Sequence, residues 1–477
     1  MVVGELTQER DLVIIGAGPG GYHAAIRAAQ LGLGVTLIEK GEMGGLCLNE
    51  GCIPSKVHTA AAQNLHRLNG MKSMGIQTND PTFDMRTLQE YKNVTIQQLK
   101  QGIEALCKAN KIEVLKGEAM FLSQDKIGVE NGHQYDTYSF KHAIIAAGRE
   151  KKPIINLEGN YLTITTLWKL DDIPPSLILY GNDDFTVEAA MCFSKMGSDV
   201  TMIFPLGQND FTFDDAINKE LTRQCKKQKL KLIKDVKVNN IHYSDNSWEV
   251  EVQNPDGKLQ TLKGSHLYVE SKPEGIKEGL GMDRAGIELD DNGAVVVNHA
   301  CQTSVGHIYA IGDITEGPAL AVKAIKQAKV AAENIAGFQS EVDLTFVPRV
   351  LQTIPPIASV GFSEKQAIDA GYEITVGESA FRTNGYASIM GQKDGMIKTI
   401  SEAGTDLILG VHMIGEGAIE LISSGIVALE MVGRQEDLLF PLYPHPSLNE
   451  NFLESLEDLS NKAIHKPPAT KKHKVNV

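Results

Sequence analysis

The segment from Asp11 to Glu39 constrains the fold of this chain more than any other part of the sequence. It reads as a strand, a glycine turn, an Ala-rich helix and a second strand, and Gly16, Gly18 and Gly21 give the turn the spacing GxGxxG. In such a unit the first glycine permits the tight turn, the second lets backbone approach a pyrophosphate, and the third brings helix and strand close together. Glu39 ends the second strand, where a carboxylate meets a ribose hydroxyl. The segment therefore predicts a dinucleotide-binding unit.

A second copy of this pattern lies 165 residues further on, so that Gly16 corresponds to Gly181 and Gly32 to Gly197. The copy keeps the alternation of strand and helix. Its ligand-facing positions differ, because the equivalents of Gly18, Gly21 and Glu39 are Asp183, Thr186 and Phe204. The duplication predicts two related sheets, of which only the first keeps the residues that bind a dinucleotide.

The remaining patterns complete the predicted fold class. Residues 82–108 read as a helix, 141–148 and 307–313 as strands, and 319–335 as an Ala-rich helix. Alternating strands and helices favour parallel, doubly wound sheets. After Pro348 the pattern changes, with antiparallel strands predicted at 397–400 and 407–414 and an amphipathic helix at 419–431. We predict an α/β protein with two Rossmann-like dinucleotide-binding domains and a C-terminal α+β domain, in line with about 150 residues per domain.

Composition excludes several classes of partner. The 60 acidic and 46 basic side chains give a formal charge of −14, a field that repels nucleic acid. No apolar run approaches the roughly 18 to 20 residues that span a bilayer, and the N-terminus has no apolar stretch typical of a secretion signal. We therefore predict a cytoplasmic protein with no nucleic-acid or membrane partner.

Cys47 and Cys52, five residues apart, form the most specific chemical motif. A zinc site normally needs four ligands, and no second Cys or Cys/His pair of suitable spacing accompanies them, so no metal site is predicted. A close thiol pair near a helix start supports redox chemistry, since the helix dipole stabilises a thiolate and a second thiol allows a reversible disulfide. Pro54 and Ser55 fit such a start. The alternative is a purely structural disulfide.

Four ordered motifs together resemble the FAD-dependent pyridine nucleotide–disulfide oxidoreductases, and within that family the dihydrolipoamide dehydrogenase group. They are GAGPGGY, GGLCLNEGCIPSK, YAIGD and HPSLNE, and the resemblance runs from about Arg10 to about Lys466. It implies an FAD-binding domain over 1–150 and 274–346, a degenerate NAD-binding-like domain over 151–273 and a dimerisation domain over 347–466. A mobile tail is predicted over 467–477.

The resemblance also implies roles for individual residues. Cys47 would exchange with the substrate sulfur, Cys52 would lie against the flavin, and His445 with Glu450 would form a base and its orienting carboxylate. The residues implied to bind FAD or to line its site are Gly16, Gly18, Gly21, Glu39, Lys56, Ala119, Gly148, Glu188, Asp313 and Ala321. The family's histidine serves the partner subunit, which implies a homodimer, and its substrate is dihydrolipoamide or a lipoyl-bearing protein. Tyr443 departs from the family, which usually has a second histidine there.

The second dinucleotide site departs further. The family's acceptor is NAD, yet Asp183 places a carboxylate where a pyrophosphate should approach. Two unit charges about 4 Å apart repel by about 4 kcal/mol at an effective dielectric near 20, and half of that weakens binding about thirtyfold. Asp183 and Asp184 also stand where a helix begins, where their side chains could cap it in place of a phosphate. We predict that this domain binds NAD weakly or not at all.

Three functions stay open on the sequence alone. The first is an NAD-linked dihydrolipoamide dehydrogenase, and the second is the same dithiol-to-FAD half-reaction with another electron acceptor. The third is a non-catalytic subunit of a lipoyl-dependent complex. Retention of Cys47, Cys52, His445 and Glu450 argues against the third, since a scaffold has no evident need for all four.

Overall fold

The computed structural model describes residues 7–77, 82–274 and 279–467. The strands are β1 (Gln8–Ile15), β2 (Val35–Glu39), β3 (Glu113–Lys116), β4 (Glu118–Ser123), β5 (Lys126–Asn131), β6 (Gln134–Ile145), β7 (Glu150–Pro153), β8 (Ser176–Tyr180), β9 (Asp199–Pro205), β10 (Lys231–Ser244), β11 (Ser247–Gln253), β12 (Leu259–Gly264), β13 (His266–Val269), β14 (Ser271–Glu274), β15 (Ile308–Ala310), β16 (Arg349–Leu351), β17 (Ile357–Gly361), β18 (Ile374–Ala380), β19 (Gly395–Glu402) and β20 (Ile408–Gly415). The helices are α1 (Pro19–Gln30), α2 (Gly45–Asn49), α3 (Cys52–Met71), α4 (Met85–Ala109), α5 (Ile164–Leu167), α6 (Asp184–Met196), α7 (Asp215–Lys227), α8 (Met282–Ala285), α9 (Ala321–Ile335), α10 (Glu364–Asp369), α11 (Gly385–Ile389), α12 (Ala418–Glu430), α13 (Gln435–Leu439) and α14 (Asn449–Leu459). Of the predicted mobile tail only Pro467 is described, and the rest lies outside the described residues.

The chain divides into two compact units. The first comprises Met1–His58, Phe83–Asp172 and Val269–Leu344, and the second comprises Thr59–Thr82, Ile173–Tyr268 and Thr345–Val477. The predicted domain boundaries stay predictions, since this division by compactness does not test them.

The first unit is built around a sheet in the order β3-β2-β1-β6-β5-β4, with β15 beside β6. Strand β1 pairs in parallel with both β2 and β6. Its apolar run from Leu12 to Ile15 is buried on both faces, because Leu12 and Ile14 enter the core under α1 and α9 while Val13 and Ile15 enter the core on the opposite face. A run of apolar residues without alternation is typical of such a parallel strand.

The second unit contains the duplicated sheet, in the order β12-β11-β10-β9-β8-β13. Strand β8 pairs in parallel with β9, and β9 pairs in parallel with β10. The succession β8, α6 and β9 repeats β1, α1 and β2, so the predicted duplication of a Rossmann-like unit is confirmed.

The same unit also holds an antiparallel sheet in the order β16-β17-β20-β19-β18, which packs on α12 and α14. The predicted antiparallel strands and amphipathic helix are β19, β20 and α12, so the predicted α+β domain is confirmed. Among the described residues, no helix is both long and apolar enough to cross a membrane.

Candidate active site

The first glycine turn is shaped by close backbone contacts. A Cβ atom on Gly21 would lie 1.8 Å from the carbonyl oxygen of Gly16, so the third glycine cannot carry a side chain. Gly16 has a φ of +99°, and a Cβ there would lie 2.5 Å from the carbonyl oxygen of Ala146. A Cβ on Gly18, in contrast, would meet nothing within 4 Å. Among the described residues, no packing contact requires a glycine at position 18, and the space beside it is open to a ligand.

Helix α1 begins at this turn, and no side chain in the described part of the protein caps its first amides. Gly18 is the N-cap and offers no side-chain acceptor, and no acidic residue lies in the first turn. The first amides of a helix have no partner within the helix, and the helix dipole places partial positive charge on them. This arrangement suits a phosphate group, as the GxGxxG spacing predicts.

Glu39 stands at the end of β2 beside the turn. Its carboxylate oxygens accept hydrogen bonds from the amides of Ala17 at 2.6 Å and Gly41 at 2.7 Å. A carboxylate has further acceptor positions, so a ribose hydroxyl can still bind. A cavity of about 610 Å³ adjoins it, with a wall that includes Met43, Ile112 and Leu115. The open glycine, the uncapped helix and this cavity fit a dinucleotide such as FAD.

The other predicted FAD residues are spread over the described elements. Lys56 lies on α3, one turn after Cys52, and Ala119 lies on β4. Gly148 follows β6 with a φ of +67°, Asp313 lies in a 3-10 turn after β15, and Ala321 is the first residue of α9. Their contacts with a cofactor stay predictions.

The two motif thiols are hydrogen-bonded to each other. Cys47 lies in α2, and Cys52 is the first residue of α3, where the helix dipole favours a thiolate. The hydrogen bond to Cys52, followed by burial, raises the pKa of the Cys47 thiol, whereas the charge of Lys56 opposes this rise. The remaining cysteines are buried, while these two are only partly buried. The structure thus separates one accessible thiol pair from four packed thiols.

The predicted base and its carboxylate are also brought together. Nδ1 of His445 lies 2.7 Å from Oε1 of Glu450, and the amide of Ser447 donates to Oε2 at 2.9 Å. Burial opposes ionisation of Glu450, but the hydrogen bonds from His445 and Ser447 prevail and lower its pKa. The side chain of His445 is 80% exposed, so its Nε2 is open to a reactant.

At the second glycine turn the helix start is occupied by the chain's own side chains. Asp183 is the N-cap of α6, and its carboxylate accepts from the amide of Thr186 at 2.8 Å and from the Thr186 hydroxyl. The capping role predicted for Asp183 is therefore confirmed. Asp184 acts differently from the prediction, because its carboxylate forms an ion pair with the guanidinium of Arg349. Phe204, the last residue but one of β9, is fully buried and stands where the first copy has Glu39.

Glu188 lies one turn into α6 and is 2% exposed. Its carboxylate accepts a hydrogen bond from the backbone amide of Gln352 at 2.6 Å. Sequence patterns point to neither Gln352 nor Arg349. Arg349 begins β16 and Gln352 follows it, and each lies more than 160 positions in sequence from its partner on α6. No local motif marks a contact of that range.

Comparisons with known proteins agree with this description. The family model described as pyridine nucleotide-disulphide oxidoreductase matches residues 10–328, and the model of its dimerisation domain matches residues 347–456. The dihydrolipoyl dehydrogenase of Thermus scotoductus is 37% identical over 459 residues, covering 95% of this chain and 98% of that protein. That of Geobacillus stearothermophilus is 35% identical over 467 residues, covering 98% and 99%. The crystal structure of LpdA from Mycobacterium tuberculosis matches with a TM-score of 0.85 and 24% identity, over 94% of this chain and 99% of that one, and supports the fold alone.

Proposed function

Because the chain belongs to the pyridine nucleotide-disulphide oxidoreductase family, a family of flavoproteins that act on sulfur groups, we propose that it oxidises a dihydrolipoyl dithiol through Cys47 and Cys52. The observation that carries this proposal is the partly buried, hydrogen-bonded thiol pair, with Cys47 in α2 and Cys52 at the start of α3. A dithiol substrate matches a pair of sulfur atoms that can form and break one disulfide.

The thiol exchange proceeds in two displacements. A substrate thiolate attacks the sulfur of Cys47 in the enzyme disulfide, and Cys52 leaves as a thiolate that the dipole of α3 stabilises. The second substrate sulfur then displaces Cys47, so the substrate departs as a cyclic disulfide and both enzyme sulfurs are reduced. Bound FAD, which the glycine turn and Glu39 would hold, supplies the two-electron acceptor for this reduced pair.

Proton transfer falls to His445. The substrate thiol ionises poorly at neutral pH, so a base must accept its proton before attack. The carboxylate of Glu450 fixes the Nδ1 side of the imidazole and stabilises the imidazolium that forms, which leaves Nε2 facing the reactant. We assign His445 as the base and Glu450 as the residue that positions it.

We propose that the working form is a homodimer. The dimerisation-domain model covers residues 347–456, and this stretch exposes Phe440 by 90% and Leu442 by 100%, close in sequence to His445. Covering these apolar side chains with a second copy removes them from water. By the resemblance, His445 of each protomer then serves the thiol pair of its partner.

NAD is the family's usual acceptor, and here we propose weak NAD binding or none. Asp183 already caps α6, and Phe204 offers no carboxylate to a ribose. The same dithiol half-reaction with a different electron acceptor is therefore the second candidate function. Both candidates share every step at Cys47, Cys52 and His445.

Anaerobic stopped-flow absorbance of the FAD-loaded protein tests the proposal. Dihydrolipoamide should reduce the flavin, and Cys47→Ser and Cys52→Ser should each abolish that reduction. The matched control is Cys225→Ala, which removes a buried thiol far from the pair in sequence and should retain flavin reduction. Unchanged flavin in the wild type, or equal reduction in Cys52→Ser, would contradict the proposal. NAD added afterwards should reoxidise the flavin under the first candidate function alone.

A further inference from the structure

The connection between β9 and α7, residues 206–213, is fastened to the ends of the parallel strands of the second sheet. Asn182 lies in the turn after β8, and its Nδ2 is 3.3 Å from the carbonyl oxygen of Asp210. The amide of Gly207 donates to the carboxylate of Asp235 at 2.7 Å. In open α/β sheets this edge, outside the carboxyl ends of the strands, is where ligands bind.

An aromatic pair occupies the end of β9. The rings of Phe204 and Phe211 meet edge to face with centroids 5.1 Å apart, and their exposed fractions are 0% and 4%. The ammonium group of Lys234 lies 5.4 Å and 5.2 Å from the two centroids and 2.8 Å from the carboxylate of Asp210. The position that meets a ribose in the first copy is thus a packed hydrophobic contact.

Arg349 contacts the C-terminal end of the connection 206–213. Its guanidinium pairs with Asp184 at the start of α6, donates to the carbonyl and hydroxyl oxygens of Thr212 at 2.8 Å, and lies 3.9 Å from the ring centroid of Phe213. The side chain of Asn218 also contacts this segment, because its Nδ2 donates a hydrogen bond to the carbonyl oxygen of Phe211 at 2.9 Å. The segment is therefore tied down at both ends by charged and polar contacts.

We infer that Phe204, Phe211 and Arg349, held in place by the connection 206–213, fill the second dinucleotide crevice and determine acceptor specificity. A dinucleotide is excluded by occupied volume and by the Asp184–Arg349 ion pair, and neutralising the charge of Asp183 does not admit it. The inference deepens the proposed function, on which it rests for the identity of this crevice as the family's acceptor site. We therefore expect the charge of Asp183 and the volume of the packed side chains to have separable effects on NAD binding.

Two variants of the FAD-loaded full-length protein separate these effects. Asp183→Asn removes the charge and keeps an N-cap acceptor. The opened variant combines Asp183→Asn with Phe211→Ala and Arg349→Ala, which removes the aromatic contact and the ion pair. For both variants and the wild type, NAD affinity is measured by calorimetric titration, and the rate of NADH-driven flavin reduction is measured by absorbance. We expect Asp183→Asn to match the wild type and the opened variant to gain at least tenfold in NADH-driven flavin reduction.

Three results would overturn the inference: brisk NADH reduction of the wild type, a tenfold gain in Asp183→Asn alone, or no gain in the folded opened variant. Hydrogen exchange of the wild type gives a second measurement if the opened variant fails to fold. Backbone amides of 206–213 should exchange at the same rate with and without NADH, and NADH-dependent protection would contradict the filled crevice. Failure of dihydrolipoamide to reduce the flavin would refute the proposed function, while the calorimetric comparison would still decide this inference.

Discussion

Gly18 and Asp183 hold the same backbone conformation at the starts of α1 and α6, with φ and ψ of −66° and −176° at Gly18 and of −70° and 173° at Asp183. Only the side chain differs. At Gly18 the N-cap has no side chain to accept from the helix amides, whereas Asp183 accepts from the amide of Thr186. The first copy therefore leaves this helix start without a side-chain acceptor, and the second copy supplies the acceptor from its own chain.

Gly18→Ala and Gly21→Ala should separate ligand binding from folding. A methyl group on Gly18 meets no protein atom within 4 Å, so the free energy of unfolding of the apoprotein should change by less than about 0.5 kcal/mol. If the FAD pyrophosphate lies beside Gly18, as proposed, the same methyl group obstructs it, and FAD affinity should fall at least tenfold. Gly21→Ala overlaps the Gly16 carbonyl and should cost about 1–3 kcal/mol or more. Urea unfolding and FAD titration test both, and a Gly18→Ala protein with full FAD affinity would contradict this assignment.

The cap on α6 predicts a stability cost that depends on hydrogen bonding more than on charge. Asp183→Ala should destabilise α6 by about 1 kcal/mol, whereas Asp183→Asn should stay close to the wild type, because Asn is an equally good N-cap. Asp84, which caps α4 through the amides of Arg86 and Thr87, offers a matched position for the same two substitutions. Urea midpoints and hydrogen exchange of the first turn measure the effect. Equal stability of the Ala and Asn variants would show that the cap contributes nothing.

The features that the sequence predicted are those that its local motifs encode. A glycine spacing dictates a turn, two thiols five residues apart are close enough to pair, and His445 lies only five residues before Glu450. The pairing of Asp184 with Arg349 and of Glu188 with Gln352 was not predictable in this way. These contacts join distant segments, and they depend on how β16 packs beside α6. For Asp184, the local position at a helix start predicts a cap, but tertiary packing places its carboxylate against the guanidinium of Arg349.

Removal of Cys52 should make Cys47 more reactive at neutral pH. The hydrogen bond to Cys52 is the largest cause of the raised pKa of Cys47, so Cys52→Ala should lower that pKa and increase the thiolate fraction. The sign follows because a raised thiol pKa means that less thiolate is present at a given pH. The pH profile of iodoacetamide alkylation at Cys47, read by mass spectrometry, should therefore shift to lower pH in Cys52→Ala than in the reduced wild type. Cys225→Ala is the control and should leave the Cys47 profile unchanged, and a profile unmoved in Cys52→Ala would contradict the pairing of the two thiols.

Glu450 should act through His445, and this dependence can be measured. The hydrogen bonds from His445 and Ser447 lower the pKa of Glu450, so its carboxylate stays ionised through the neutral range and can stabilise an imidazolium. Glu450→Gln keeps the size but removes the charge, and dihydrolipoamide-driven flavin reduction should slow by about 10–100-fold. His445→Gln should slow it by about 10²–10⁴-fold, the usual contribution of a general base.

The double variant decides between a shared role and two separate ones. If Glu450 works by orienting the imidazole, Glu450→Gln should add little to the defect of His445→Gln, because residues that act as a unit are not additive. Glu454→Gln is the matched control, since Glu454 lies on the same helix and pairs with His465 at 2.7 Å in a similar contact. It should leave the rate and its pH profile unchanged. Multiplicative losses in the double variant, or an equal loss in Glu454→Gln, would mean that Glu450 supports the fold of α14 and does not position the base.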